Sequence, residues 1–297
     1  MRCEPCRAFF CLVRLVANYF RQLNFRNRQS MLRELTASDQ QLILDYAYQH
    51  ELENMFVIGS FEFSDNPFEF NTYLGYFEND VLTGLGVYFG LWDDITLHAE
   101  STAVIDAFVD EFVKQNRPVK YVVAFQRHAL PTLDRLQQHG ITPIKVREQT
   151  LYLLEQENFH DCSTGAEVQG TSGDIDGIIR LGNIMDEQPA DREVPENERA
   201  RIVPEYEWLL KQAGEIIAKA NVHGLSRHYA QVGGVMTHPA HQGKGYAKQT
   251  VSATCRHWFA RGKRLTLFVN NDNTPAIRAY TRLGFQPIGE YIHAEFA

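Results

Sequence analysis

A chain of 297 residues, 44% apolar and 22% charged, has room for two ordinary domains, each with a core of its own. No stretch approaches the roughly 18 apolar residues of a bilayer-spanning helix, and five cysteines without regular spacing exclude a disulfide scaffold. The net charge of −8 divides unevenly. Residues 1–30 carry six arginines against one acid, leaving 23 bases against 36 acids, and so acidic a body disfavours nucleic acid as a partner.

The first thirty residues pair Cys3 with Cys6, but no second pair stands at zinc spacing, so no metal is expected. With an apolar stretch from Ala8 to Val16, this segment superficially resembles a targeting peptide. It reads instead as an appendage, disordered or translated from upstream sequence, because Met31 to Asp39 reads as the ordinary first strand and helix start of a domain. Alternation predicts strands at Asn71–Phe77, Leu82–Phe89 and Lys120–Phe125, and helical spacing predicts a helix over Ser101–Gln115. Residues 158–173, rich in Gly, Ser and Thr, read as a linker. Asp174 to Glu187 reads as a helix capped by Asp174, and Gln188 to Val203 as a polar loop. Tyr206–Lys211 and Glu215–Val222 read as a hairpin about Gln212-Ala213-Gly214. Tyr229 to Thr237 is a strand whose Gly233-Gly234 pair marks a bulge.

That strand runs through His238-Pro-Ala-His-Gln-Gly-Lys-Gly-Tyr-Ala247 into a helix. Gly243 and Gly245 let the backbone approach a phosphate, the helix start contributes N–H groups and partial positive charge, and Lys244 adds a cation. Some thirty residues on come the run Leu265–Val269, then Asn273, Tyr280, Gly284 and Phe285. With Gln242, Gly245 and Ala247 at the fixed positions of Gln/Arg-x-x-Gly-x-Gly/Ala, these residues resemble the GCN5-related N-acetyltransferases (GNAT) over roughly residues 174–297.

A fixed offset of 144 residues superposes Pro131, Gly140, Pro143 and Ile144 on Pro275, Gly284, Pro287 and Ile288. The fold expected is therefore α/β: two tandem GNAT-like domains, residues 31–157 and 174–297, each a mixed, mostly antiparallel sheet flanked by helices with a splayed central strand pair. The first copy lacks the chemistry. Leu97–Ala103 stands opposite the phosphate loop without a glycine and with Glu100 where an anion would dock, while Ala129 and Leu136 stand opposite Asn273 and Tyr280.

The resemblance implies transfer of an acetyl group from acetyl-coenzyme A to an amine of a small molecule or peptide; composition adds the expectation of a cytoplasmic protein without metal, nucleic acid or membrane. It places the cofactor on Val235, Met236, Thr237, Gln242, Gly243, Lys244, Gly245, Tyr246, Ala247 and Asn273, with Tyr280 as proton donor to the leaving sulfur. Glu215 is the first choice of general base; His223, His228 and His238 are discounted as lone histidines. A non-catalytic acetyl-coenzyme A sensor or scaffold is the competing class. The acceptor and the oligomeric state are not legible.

Overall fold

The computed structural model describes residues 30–297, so the arginine-rich segment and its Cys3–Cys6 pair lie outside the described residues. The first half runs β1 (Ser30–Leu35), α1 (Gln40–Gln49), α2 (Met55–Glu62), β2 (Asn71–Glu78), β3 (Val81–Phe89), β4 (Asp94–Ala99), α3 (Thr102–Lys114), β5 (Tyr121–Phe125), α4 (Gln126–Gln138) and β6 (Lys145–Leu154). The second runs β7 (Val168–Gln169), α5 (Ile175–Met185), α6 (Glu196–Arg199), β8 (Glu207–Gln212), β9 (Glu215–Leu225), β10 (Tyr229–Thr237), α7 (Tyr246–Phe259), β11 (Arg264–Asn270), α8 (Thr274–Leu283) and β12 (Gln286–Glu295). Element for element, the second half repeats the first.

Among the described residues the strands form one twelve-stranded sheet in the order β1-β2-β3-β4-β5-β12-β6-β11-β10-β9-β8-β7. Separate sheets would pair β6 with β5 and β12 with β11. Instead β12 lies antiparallel to β5, and β6 lies antiparallel to β11, so the two halves exchange their last strands and pair them at the centre. Packing follows the exchange. Ile292, Ala294 and Phe296 enter the first half's core with Phe108, Phe112 and Leu136, whereas Tyr152 and Leu154 enter the second half's core with Val251, Trp258 and Leu267.

Alternation along the strands sorts side chains between layers. In the first half Tyr73 and Val87 meet α1 and α2, while their neighbours Leu74 and Tyr88 meet α3. The hairpin from β8 to β9 turns on Ala213 and Gly214, both with positive φ, as a two-residue turn requires. Asp174 acts one step away from its expected role. Its carboxylate bonds Thr171 in a capping box at a 3-10 turn before α5 and pairs with Lys211. Pro131 also differs from its counterpart. Pro275 sits in the first turn of α8, but α4 begins at Gln126, so Pro131 lies inside its helix. Gly140 and Gly284 both end helices at positive φ, and a side chain at Gly284 would strike the Asn158 carbonyl. Among the described residues no helix is long and apolar enough to cross a membrane.

Burying Ile292 and Phe296 stabilises by about 1.5–3 kcal/mol each, and this stabilisation belongs to the half that does not supply the strand. The halves therefore unfold together: thermal or denaturant unfolding followed by far-ultraviolet circular dichroism gives one cooperative transition. Two resolved transitions would contradict the exchange.

Candidate acetyl-transfer site

The site begins where two strands separate. β10 runs parallel to β11 and pairs with it only through Tyr229–Arg264, Ala230–Leu265 and Gln231–Thr266. On its other side β10 stays with β9, but its register slips after Gly233, where three residues of β10 span two of β9. Gly234 takes φ +52° in this bulge, and Asn221 fills the space a side chain would need. From Val232 to Thr237, then, the edge of β10 facing β11 has no ladder partner. An extended amide chain could pair there. Val235, Met236 and Thr237 line this fork, each partly exposed.

The fork opens onto the glycine loop. His238 Nδ1 accepts from Ala240 N–H at 3.2 Å, and Gln242 folds back so that its amide nitrogen donates to the Thr237 carbonyl at 3.3 Å. Gly243 and Gly245 take φ +77° and +84°. A side-chain carbon at Gly243 would meet nothing within 4 Å, and one at Gly245 only the Lys248 side chain at 3.8 Å. These glycines serve backbone conformation and keep the space before them open. Among the described residues, the amides of Gly243, Lys244 and Gly245 have no protein acceptor, and those of Tyr246 and Ala247 open α7. Five donors and a helix N-terminus without an acidic first turn could receive a phosphate-bearing ligand. The Tyr246 ring anchors this end of α7 against Leu210 and Ile217.

Across the fork, Tyr280 projects from α8 into the cluster that Val235 also joins, and its ring meets Phe285 edge-on at 6.0 Å. Burial pushes its phenol up to about 12, so it holds its proton at neutral pH. Its hydroxyl has no hydrogen-bond partner among the described residues, leaving it free to donate. Asn273 caps α8, its Oδ1 accepting from Ala276 N–H at 3.2 Å, and so fixes the helix that carries Tyr280.

The structure does not bring Glu215 to this centre. Thr237 pairs with Ala218, so Glu215 lies beyond the end of β10, at the hairpin turn, 71% exposed and 3.8 Å from Arg180. His223 is there instead. On β9 the alternates Ala220 and Val222 enter the core under α7, which turns Lys219, Asn221 and His223 to the opposite face. The His223 imidazole covers Gly233, where a side-chain carbon would lie 2.0 Å from the ring, and stacks on Phe56 of α2 with centroids 6.3 Å apart. Its side chain is partly open to solvent yet packed against Phe56 and Gly233, and desolvation, with Lys219 nearby, lowers its pKa to about 4. A neutral imidazole thus rests on the bulge. Lys219 is itself paired with buried Glu207, at 2.9 Å, and Glu207 also accepts from Asn221 at 3.0 Å. The glycine pair and the helical spacing were legible signals; a lone histidine just past the expected strand end at Val222 carried none, and β9 in fact runs on to Leu225.

The first half supplies one wall. Phe56 touches both His223 and Phe268, Phe63 meets Tyr206, and Glu51 accepts from the His228 backbone and faces its Nδ1 at 2.7 Å. The first half has its own fork, since β4 and β5 pair only through Asp94–Tyr121 and Ile95–Val122. Only Glu100 and Ser101 separate β4 from α3, too short a connection for a phosphate loop. A polar cavity of about 460 Å³ beside α5, lined by Asp176, Arg180, Glu193 and Arg199 among others, takes no residue from the fork strands.

Residues 179–285 match the acetyltransferase (GNAT) family. That match places a GNAT domain in the second half, and the fold of the whole is the tandem GNAT arrangement. A tandem GNAT protein from the clavulanic acid biosynthesis pathway is similar at 12% identity, with 90% of this chain and 98% of that one covered and a TM-score of 0.59. A GCN5-related N-acetyltransferase from Sphaerobacter thermophilus matches at 13% identity over 90% and 95% of the two chains, with a TM-score of 0.57. A GNAT-family acetyltransferase from Colwellia psychrerythraea matches at 14% over 90% and 100%, with a TM-score of 0.54. Likenesses this distant establish the fold. No curated protein matches the sequence.

Because His223 is held neutral, its folded-state pKa lies below the ordinary value of about 6.5. The unfolded chain takes up the proton first, so this group's contribution to stability is present above pH 6.5 and is lost as pH falls toward 4. A proton NMR titration of the His223 ring shows a midpoint near 4; a midpoint near 6.5 would contradict its desolvation.

Proposed function

We propose that the second half is an acetyl-coenzyme A-dependent N-acetyltransferase that passes its acetyl group directly to a primary amine. The observation that carries this reading is the union, in one fork, of an unpaired strand edge, a row of unpaired loop amides and a protonated phenol. The pantetheine amides would pair with β10 over Val235 to Thr237, and the pyrophosphate would rest on the amides of Gly243 to Ala247, with Gln242 and Lys244 beside it. The phosphate-free edge of the fork is then left for the thioester.

The neutral amine nitrogen attacks the thioester carbon, and the carbonyl oxygen takes the negative charge near the bulge, where backbone N–H groups can stabilise it. Attack makes the nitrogen far more acidic, and His223, neutral over the bulge, receives its proton. The carbon–sulfur bond breaks, and Tyr280 donates its proton to the departing thiolate. His223 replaces Glu215 as the base, because the turn places Glu215 at the far end of β10. Residues 31–157 act as a scaffold and as the wall of the acceptor site, and that acceptor is a small-molecule or peptide amine. A non-catalytic acetyl-coenzyme A sensor would need the loop but not the free Tyr280 hydroxyl.

Calorimetric titration of acetyl-coenzyme A gives micromolar binding to the wild type that is lost in Gly245→Glu, which sets a carboxylate among the amides. In a thiol-release screen of amines, Tyr280→Phe lowers kcat by about 10²-fold with little change in KM. Absence of binding to the wild type contradicts the cofactor assignment. Binding without turnover of any amine favours the sensor.

A further inference from the structure

The fork of the first half is filled by its own side chains. Tyr46 on α1, His50 at its end, Glu53 from the following loop, His98 from β4 and His128 from α4 converge where β4 leaves β5. The rings of His50 and His98 are 4.6 Å apart, and those of His98 and His128 are 4.8 Å apart. One ligand atom from each of His50, Glu53 and His98 lies within 4.8 Å of the other two.

His98 is 2% exposed, and its Nε2 has no hydrogen-bond partner among the described residues. That nitrogen faces the Glu53 carboxylate at 3.5 Å. Its other nitrogen, Nδ1, lies 2.8 Å from the Tyr46 hydroxyl, and that hydroxyl has the carbonyls of Thr83 and His98 in reach at 3.3 Å. In the tautomer where Tyr46 donates to a carbonyl and Nδ1–H donates to the Tyr46 oxygen, Nε2 offers its lone pair beside the carboxylate. In that tautomer the buried nitrogen and the half-buried carboxylate, which Arg127 and His128 already contact, present two donor atoms to one metal ion.

We infer that His50, Glu53 and His98 form a binding site for a divalent transition metal, with zinc the best fit to the donors. Two imidazoles and a carboxylate are a zinc set that leaves a fourth position for water. Metal–ligand distances of about 2.0–2.2 Å require each ligand atom to close by less than about 1 Å. His50 stands at the half-exposed end of α1 and can supply much of that movement. The outer contacts suit the site as well. Tyr46 orients the His98 ring, and His128 and Arg127 hold one Glu53 oxygen. Arg127 opposes a cation, but its side chain is 55% exposed and water screens it. The cysteine-based expectation of no metal did not reach these residues, because their donors come from separate elements. Bound metal would clip the α1–α2 corner to β4, and that corner carries Glu51 and Phe56, which wall the acetyl-transfer fork.

The test is a cobalt(II) titration of the full chain with Cys3 and Cys6 replaced by Ser, so that thiolates do not compete. One equivalent gives the visible absorption of a low-coordinate site, and zinc displaces it. His50→Ala and Glu53→Gln each weaken binding by roughly tenfold or more, and His98→Ala abolishes it, with circular dichroism confirming that each variant is folded. His139→Ala, on a ring held by Asp110 away from this cluster, leaves the titration unchanged. No cobalt band in the folded protein, or a band that survives in both His50→Ala and Glu53→Gln, overturns the assignment.

Discussion

The second half is organised around the parting of β10 from β11 after Gln231. A parallel pair that separates leaves backbone groups without partners, and in a packed core such groups are costly. They are tolerable on β10 because the fork is open to water and to a ligand able to pair with them. The neighbouring features follow from the same geometry. The bulge at Gly233–Met236 bends β10 away, Gly234 supplies the left-handed residue the bulge needs, and the loop of Gly243 and Gly245 turns the chain into α7 at the end of the opening. Tyr280 faces the opening from α8, and His223 covers the bulge from β9.

The two halves resolve the same geometric problem differently. In the first, β4 parts from β5 in the same way, but side chains fill the gap: His98 stands on the strand, with Glu53, Tyr46 and His128 packed round it. In the second, the strand carries glycine at the equivalent place and a histidine reaches over it from β9. One fork is closed by protein and the other is free to take a ligand. The exchange of β6 and β12 then ties them into one sheet, so the first half persists as structure although its loop cannot hold a phosphate.

Much of this was legible because its causes are local. The turn at Ala213-Gly214, the span of β10, the bulge glycines and the helix start at Thr274 are all written in neighbouring residues. The repeat was legible from Pro and Gly positions, since Gly140 and Gly284 end equivalent helices. Strand exchange was not, because the alternation of β6 and β12 suits either partner equally. β4 was missed where its residues were read as the counterpart of the phosphate loop; it is a buried strand that runs almost directly into α3. Glu215 drew attention as a carboxylate on a strand beside the central one, but register sets it at the turn. His223 was passed over as a lone histidine flanking a loop, because the strand was read as ending at Val222; β9 continues to Leu225, and the position of His223 over Gly233 gives it a role. The His50, Glu53 and His98 cluster is likewise invisible until the fold assembles it.

The central claim is that acetyl-coenzyme A enters the open fork as an added strand and leaves the filled one untouched. Amide hydrogen exchange with and without acetyl-coenzyme A tests this directly. The account predicts new protection in peptides covering Val232 to Thr237 and Gly243 to Ala247, with no change over Thr96 to Ala99 on β4. Protection over β4, or its absence from β10 at saturating ligand, would contradict it.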